Sequence, residues 1–165
     1  GAHALVHGFG LLYTIPSIAL FVLMPLILGT SIISPVNVLV ALTIYTMALM
    51  VRSGVDAFNA VPEHVVESSR ALGCTPARAF FTVELPLALP VLFAGIRVAT
   101  VANIAMVSVG AVIGVSSLGT LFTDGLARSI PAELITGVVL SAVLAYLADA
   151  LLALTARRLT AWRTA

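Results

Sequence analysis

Four apolar runs, each close to a bilayer in length, are interrupted by one polar stretch of 33 residues, and this alternation confines the chain to a membrane-embedded helical fold. A helix crossing the hydrocarbon core needs about 20 mostly apolar residues. Runs of that kind are predicted at 9–28, 32–51, 87–113 and 134–154, with a long polar loop at 52–86. The chain is 61% hydrophobic and 9% charged, with a mean hydropathy of +1.16. Soluble domains carry about 25% charge. An all-α integral membrane protein, one domain over residues 1–165, is therefore expected, with about four transmembrane helices. A net charge of +1 argues against a nucleic-acid partner, and the single Cys74 cannot form an internal disulfide. The opening residue is Gly rather than Met, as in a trimmed or processed N-terminus. No basic segment precedes the first apolar run, so the opening does not read as a signal peptide.

Arginine placement gives the expected orientation, because cytoplasmic loops carry an excess of Lys and Arg. Arg52, Arg70 and Arg78 lie in the long loop, and Arg157, Arg158 and Arg163 follow the last span. Only Arg128 lies on the opposite side. Six Arg against one put the loop, the C-terminus and the start of the chain in the cytoplasm. The link Gly29-Thr30-Ser31 is short enough to make the first two spans antiparallel neighbours. The link 115–133 contains Gly and Ser and is less polar than the long loop.

The polar stretch carries seven of the fifteen charged residues: Arg52, Asp56, Glu63, Glu67, Arg70, Arg78 and Glu84. Pro62 suits the first turn of a helix, where its missing N–H costs nothing, and Glu63 suits the positive end of the helix dipole. Glu67 and Arg70, three residues apart, are placed to pair on that helix. Gly73 fits a left-handed helix stop. Thr75-Pro76 reads as an N-cap followed by Pro at the first helical position, opening a second short helix that runs to about Val83. Leu85-Pro86 is expected to break it and begin the third span. The predicted loop is thus a helix over 62–72, a glycine corner and a second helix.

The spacing Glu67-Ser68-Ser69, three residues, Gly73, nine residues, Val83, one residue, Leu85-Pro86 closely resembles the EAA motif of the membrane subunits of ABC importers. That motif reads Glu-Ala-Ala, Gly, Ile and Leu-Pro at the same spacing. Ser replaces Ala twice here, and Val replaces Ile. Tyr13-Thr14-Ile15-Pro16-Ser17, Arg52-Ser53-Gly54-Val55-Asp56, Glu84-Leu85-Pro86-Leu87-Ala88-Leu89-Pro90, Ala94-Gly95-Ile96-Arg97 and Ala156-Arg157-Arg158-Leu159 resemble the permeases for glycine betaine, choline, carnitine and related osmoprotectants. The resemblance covers nearly the whole chain. It implies a type I ABC importer permease in a bacterial or archaeal cytoplasmic membrane. The partners it implies are an ABC ATPase dimer, a second permease chain (identical or sister) and an external substrate-binding protein. ATP and Mg²⁺ would be held by the ATPase, with no cofactor or metal in this chain. Pro62, Glu63, Val66, Glu67, Arg70, Ala71, Gly73, Thr75, Leu85 and Pro86 would form the ATPase-coupling element. Family members have at least five core spans, so a further span is expected ahead of Gly1. Ser116 and Ser117 stand where the family has a Gly-rich segment.

Inside the spans, Arg97 and Asp149 are read as structural charges, Arg97 pairing with Asp149, Glu84 or a helix-end carbonyl, since a lone charge in lipid is costly. Asn103, Ser108 and Thr100 either line a pathway or bond between helices, the second being the commoner use. Tyr13, Thr14, Pro16, Ser17, Ser116 and Ser117 are the remaining pathway or gate candidates. His3 and His7 have metal-ligand spacing but no accompanying ligand, and a metal site would want three or four. His64 is read as a surface residue of the loop helix. No G-x4-G-K-[ST] sequence and no Lys are present, so no ATPase site is expected. An alternative keeps the architecture and changes the cargo to methionine, phosphonate or a polyamine. A channel or scaffold is disfavoured by the motif-bearing loop, and an intramembrane enzyme by the lack of a paired nucleophile and base.

Overall fold

The computed structural model describes residues 17–161, and every regular element among them is helical. Tyr13, Thr14, Pro16, His3 and His7 lie outside the described residues, as does the first half of the first predicted span. The elements are α1 (Ser17–Leu28), α2 (Pro35–Asn59), α3 (Glu63–Ala71), α4 (Pro76–Ala79), a π turn (Phe80–Glu84), α5 (Leu85–Val109), a 3₁₀ turn (Gly110–Ile113), α6 (Thr120–Ala127) and α7 (Pro131–Leu159). Among the described residues, three helices are long and apolar enough to cross a membrane: Pro35–Asn59, Pro76–Ile113 and Pro131–Leu159. The described part of α1 is shorter.

The corner between α1 and α2 is built on one side chain that sequence reasoning passed over. Asn37 is fully buried. Its Nδ2 donates to the Ser31 carbonyl at 2.8 Å, and its Oδ1 accepts from the Thr30 hydroxyl. Asn37 thereby adds a second donor to a Ser31 carbonyl that already accepts from the Ser34 N–H, and ties the turn to the helix. Ser34 caps α2 with Pro35 at its first turn. Leu20, Phe21 and Met24 of α1 then pack on Val38, Ala41, Leu42 and Tyr45 of α2 and on Val115 to form the buried core.

Two predicted boundaries need correction. The helix that carries the second predicted span does not end with the apolar run at residue 51. α2 has 25 residues and continues to Asn59. At 1.5 Å per residue this is roughly 38 Å, longer than the hydrocarbon core. Arg52 and Asp56 therefore sit on helical turns beyond the apolar part, since polarity there gives no reason for the helix to stop.

The second correction concerns Leu85-Pro86, which does not break the chain. One continuous helical path runs from Pro76 to Ile113. A proline inside an α-helix lacks a donor, and its ring collides with the carbonyl four residues back, here Thr82. The chain relieves this by widening: the Leu85 N–H reaches back five residues to the Phe80 carbonyl, and the π turn spans Phe80–Glu84. Wider turns of this kind are a recognised way to absorb a local insult without ending a helix. The predicted short helix and third span are thus one element with a bulge.

The link 115–133 contains α6, which hydropathy did not suggest. It is held by close approach: a Cβ added at Gly119 would lie 1.9 Å from the Ser108 carbonyl oxygen, and one at Gly137 would lie 2.8 Å from Leu121 Cβ. α7 runs alongside with Ile135, Val139, Val143, Leu147, Leu151 and Leu154 exposed on this chain.

Candidate functional site

The polar corner between α2 and the π turn gathers most of the predicted coupling residues. Pro62 is the N-cap of α3, with φ −64° and ψ 124°, one position before the first turn where it was expected. Glu63 occupies that first turn and Arg70 the last, matching the helix dipole at both ends. Gly73 adopts φ 84°. The Cys74 N–H donates to the Ser69 carbonyl at 3.2 Å, and the Gly73 N–H to the Arg70 carbonyl at 2.9 Å. This is the two-bond glycine stop that satisfies the last carbonyls of a helix. The Ser68 and Ser69 hydroxyls turn back onto the His64 and Val66 carbonyls, each at 2.7 Å. Ser69 is buried and Ser68 exposed, so the two Ser-for-Ala replacements keep a compact α3. Thr75 caps α4, its hydroxyl accepting from the Arg78 N–H, with Pro76 at the first turn.

Arg70 does not pair with Glu67 as the three-residue spacing suggested. Its Nη2 lies 4.0 Å from Glu84 Oε1, in the π turn. Glu67 is exposed. Glu63, Val66, Glu67, Arg70 and Glu84 join Phe58, Asn59 and Val61 around an open polar cleft of about 360 Å³. Phe58 at the end of α2 stacks on Phe80 of the π turn, with ring centroids 5.6 Å apart. Phe58 was not singled out from the sequence, and Glu84 was considered as a partner for Arg97 rather than for Arg70. Glu84 is the second carboxylate inside the motif, after Glu67. Ala71 and His64 are exposed, and Leu72 beside Gly73 is 86% exposed. Leu85 and Pro86 stand where the π turn passes into α5.

Within the spans, Arg97 of α5 forms a two-pronged pair with Asp149 of α7, Nε to Oδ1 at 2.7 Å and Nη2 to Oδ2 at 2.6 Å. Asn103 Nδ2 donates to Thr46 Oγ1 at 2.7 Å, joining α5 to α2. Thr100 bonds the Ile96 carbonyl of its own helix. Ser108 lines an apolar cavity of about 360 Å³ with Ala105, Val112, Phe122, Val138 and Ser141. Ser117 donates to the Val107 carbonyl and accepts from the Gly119 N–H, while Ser116 is exposed. Asn103 and Ser108 line different pockets, and Ser117 lies next to Ser108 at the Val107 carbonyl. Ser17 begins α1.

Membrane-length helices carrying a helix–glycine–helix insert between two of them define the type I ABC importer permease fold, in a multi-pass membrane protein. The chain belongs to the family described as binding-protein-dependent transport system inner membrane component, whose pattern matches residues 8–161. It is 41% identical over 145 residues to the osmoprotectant import permease protein OsmW of Salmonella typhimurium, covering 86% of this chain and 67% of that one. It is 33% identical over 160 residues to the choline transport system permease protein OpuBB of Bacillus subtilis, covering 97% and 72%. It is also 38% identical over 138 residues to the ergothioneine transport permease/ergothioneine binding protein EgtU of Helicobacter pylori, covering 84% of this chain and only 24% of that protein. Among solved structures, an inward-facing form of the MetNI methionine ABC transporter superposes with a TM-score of 0.80 at 28% identity, covering 96% of this chain and 74% of that one.

Proposed function

We propose that this chain forms part of the translocation pathway of an ATP-driven importer for trimethylammonium solutes such as glycine betaine, choline and carnitine. The observation that carries the reading is the α3–Gly73 corner, built at the foot of the 38-residue helical path Pro76–Ile113. A rigid helix with a defined stop can pass a displacement to a span, whereas a floppy loop would absorb it. Transport follows when ATP binding biases such a two-state element. The partners in this reading are an ATPase dimer that binds ATP and Mg²⁺, a second permease chain and an external binding protein. The excess of Arg around α3 and after α7 supports a cytoplasmic location for the corner and the C-terminus.

The cargo class rests on relatives named for osmoprotectant and choline transport. Ergothioneine, in the name of a third relative, is itself a trimethylammonium betaine, and choline carries the same trimethylammonium group. The test is uptake of labelled solutes into proteoliposomes containing the permease, its ATPase and its binding protein. Choline, carnitine, glycine betaine and ergothioneine should compete, whereas methionine, phosphonates and polyamines should not. Competition by methionine alone would favour the rival cargo, and uptake without the ATPase would sink the importer reading.

A further inference from the structure

We propose that Arg70 and Glu84 form a latch that fastens the coupling helix to the long span and tightens when the ATPase covers the cleft. This rests on the importer reading above and adds a positioning role for two side chains.

Three observations converge on the π turn. Arg70, in the last turn of α3, reaches across the cleft to Glu84. Glu84 is the last residue of the π turn, at the point where the path enters α5. Phe58 stacks on Phe80 in the same turn, fixing the end of α2 there too. The glycine corner gives α3 one covalent connection to the span, and the Arg70–Glu84 pair gives it a second, non-covalent one that bypasses residues 72–79. While the pair is closed, the second attachment resists pivoting of α3 about Gly73, so a push on it is delivered to the base of α5.

The electrostatics give the latch its condition. The Arg70 side chain is 60% exposed and that of Glu84 25%, at 4.0 Å separation. An exposed pair contributes little to stability, which argues against a purely structural purpose. A partner seated over the cleft would exclude water, and the same two charges would then attract more strongly as the local dielectric falls. The connection would be loose in the free permease and firm in the assembled complex.

The experiment measures solute imported per ATP hydrolysed in proteoliposomes of the full complex, with co-purification of the ATPase as the assembly control. R70A and the near-isosteric E84Q should each retain the ATPase while the ratio falls roughly twofold to thirtyfold, the span of coupling changes reported for side chains lying between two sites. R70K should recover part of the loss, and the charge exchange R70E/E84R should recover more than either single reversal. An unchanged ratio in R70A and E84Q, or no recovery in the exchanged pair, overturns the latch. Loss of the ATPase from R70A also overturns it, since Arg70 would then be a docking contact. The wild-type complex in the same vesicles separates the two readings. Absence of wild-type uptake defeats the importer reading, whereas wild-type uptake with an unaltered R70A ratio defeats the latch alone.

Discussion

Arg97 and Asp149, 52 residues apart, face each other with matched forks: Nε meets Oδ1 at 2.7 Å and Nη2 meets Oδ2 at 2.6 Å. Planar, two-bond pairing of this kind is the strongest geometry open to a guanidinium and a carboxylate. Removing either partner leaves a lone charge among apolar helices. R97A and D149A should each lower the yield of folded protein and its melting temperature in detergent. The exchange R97D/D149R should recover much of both. Equal behaviour of the singles and the exchange would mean that the pair does not join α5 to α7 in the membrane.

Gly73 offers a sharper test of the corner. Its φ of 84° is disfavoured for any residue bearing a Cβ, by about 1–2 kcal/mol. Gly73→Ala should weaken coupling modestly. Gly73→Pro also removes the N–H that bonds the Arg70 carbonyl and sets φ near −65°. Uptake should be lost in this variant while membrane insertion, read by protease protection, is retained. Uptake at the wild-type level would remove α3 from the coupling path.

Pro86 is the stated cause of the π turn, and Pro86→Ala removes that cause. The helix can then close to ordinary α geometry, rotating the residues before it by roughly 100° relative to α5, the step of one residue. Glu84 would swing away from Arg70. Crosslinking of R70C/E84C by a bifunctional thiol reagent long enough to replace the two side chains, in a C74S background, should therefore be efficient with Pro86 present and fall several-fold in the P86A background. Equal trapping in both would show that the turn has another origin.

Asn37 should be indispensable to the first corner. Asn37→Leu keeps the volume but takes from the Thr30 hydroxyl its Asn37 acceptor and leaves the Ser31 carbonyl with only the Ser34 N–H. Each hydrogen bond lost here costs about 0.5–1.5 kcal/mol. Thermal unfolding monitored in detergent should show a clear loss. An unchanged midpoint would mean that water or lipid headgroups reach the corner.

Some of this architecture is local and could be read directly. The Gly73 stop, the Thr75 cap, Pro76 at a first turn and Glu63 at a helix start depend on residues within one turn of each other. Hydropathy likewise placed apolar runs at 32–51, 87–113 and 134–154, overlapping helices that the structure extends over 35–59, 76–113 and 131–159. The π turn was not legible because proline usually signals a break, and only the continued packing of α5 on its neighbours makes a bulge cheaper than a break. The eight residues of α6 carry too short a pattern to stand out. They form a helix where Gly119 and Gly137 let other backbone and side chains approach closely. Of the pathway candidates, Asn103 took an interhelical bond to Thr46, a partner 57 residues away that no spacing rule supplies.

Sequence by itself determined that this is a membrane-crossing helical protein of the inner membrane component family, with a glycine-stopped helix set between spans. Those properties follow from hydrophobic length and from caps, which act within a few residues. Tertiary structure alone decided that Arg70 answers Glu84 rather than Glu67, and that Arg97 answers Asp149 among three possible partners. A charged side chain pairs with whatever the fold brings within reach, and that distance is set by how whole helices pack.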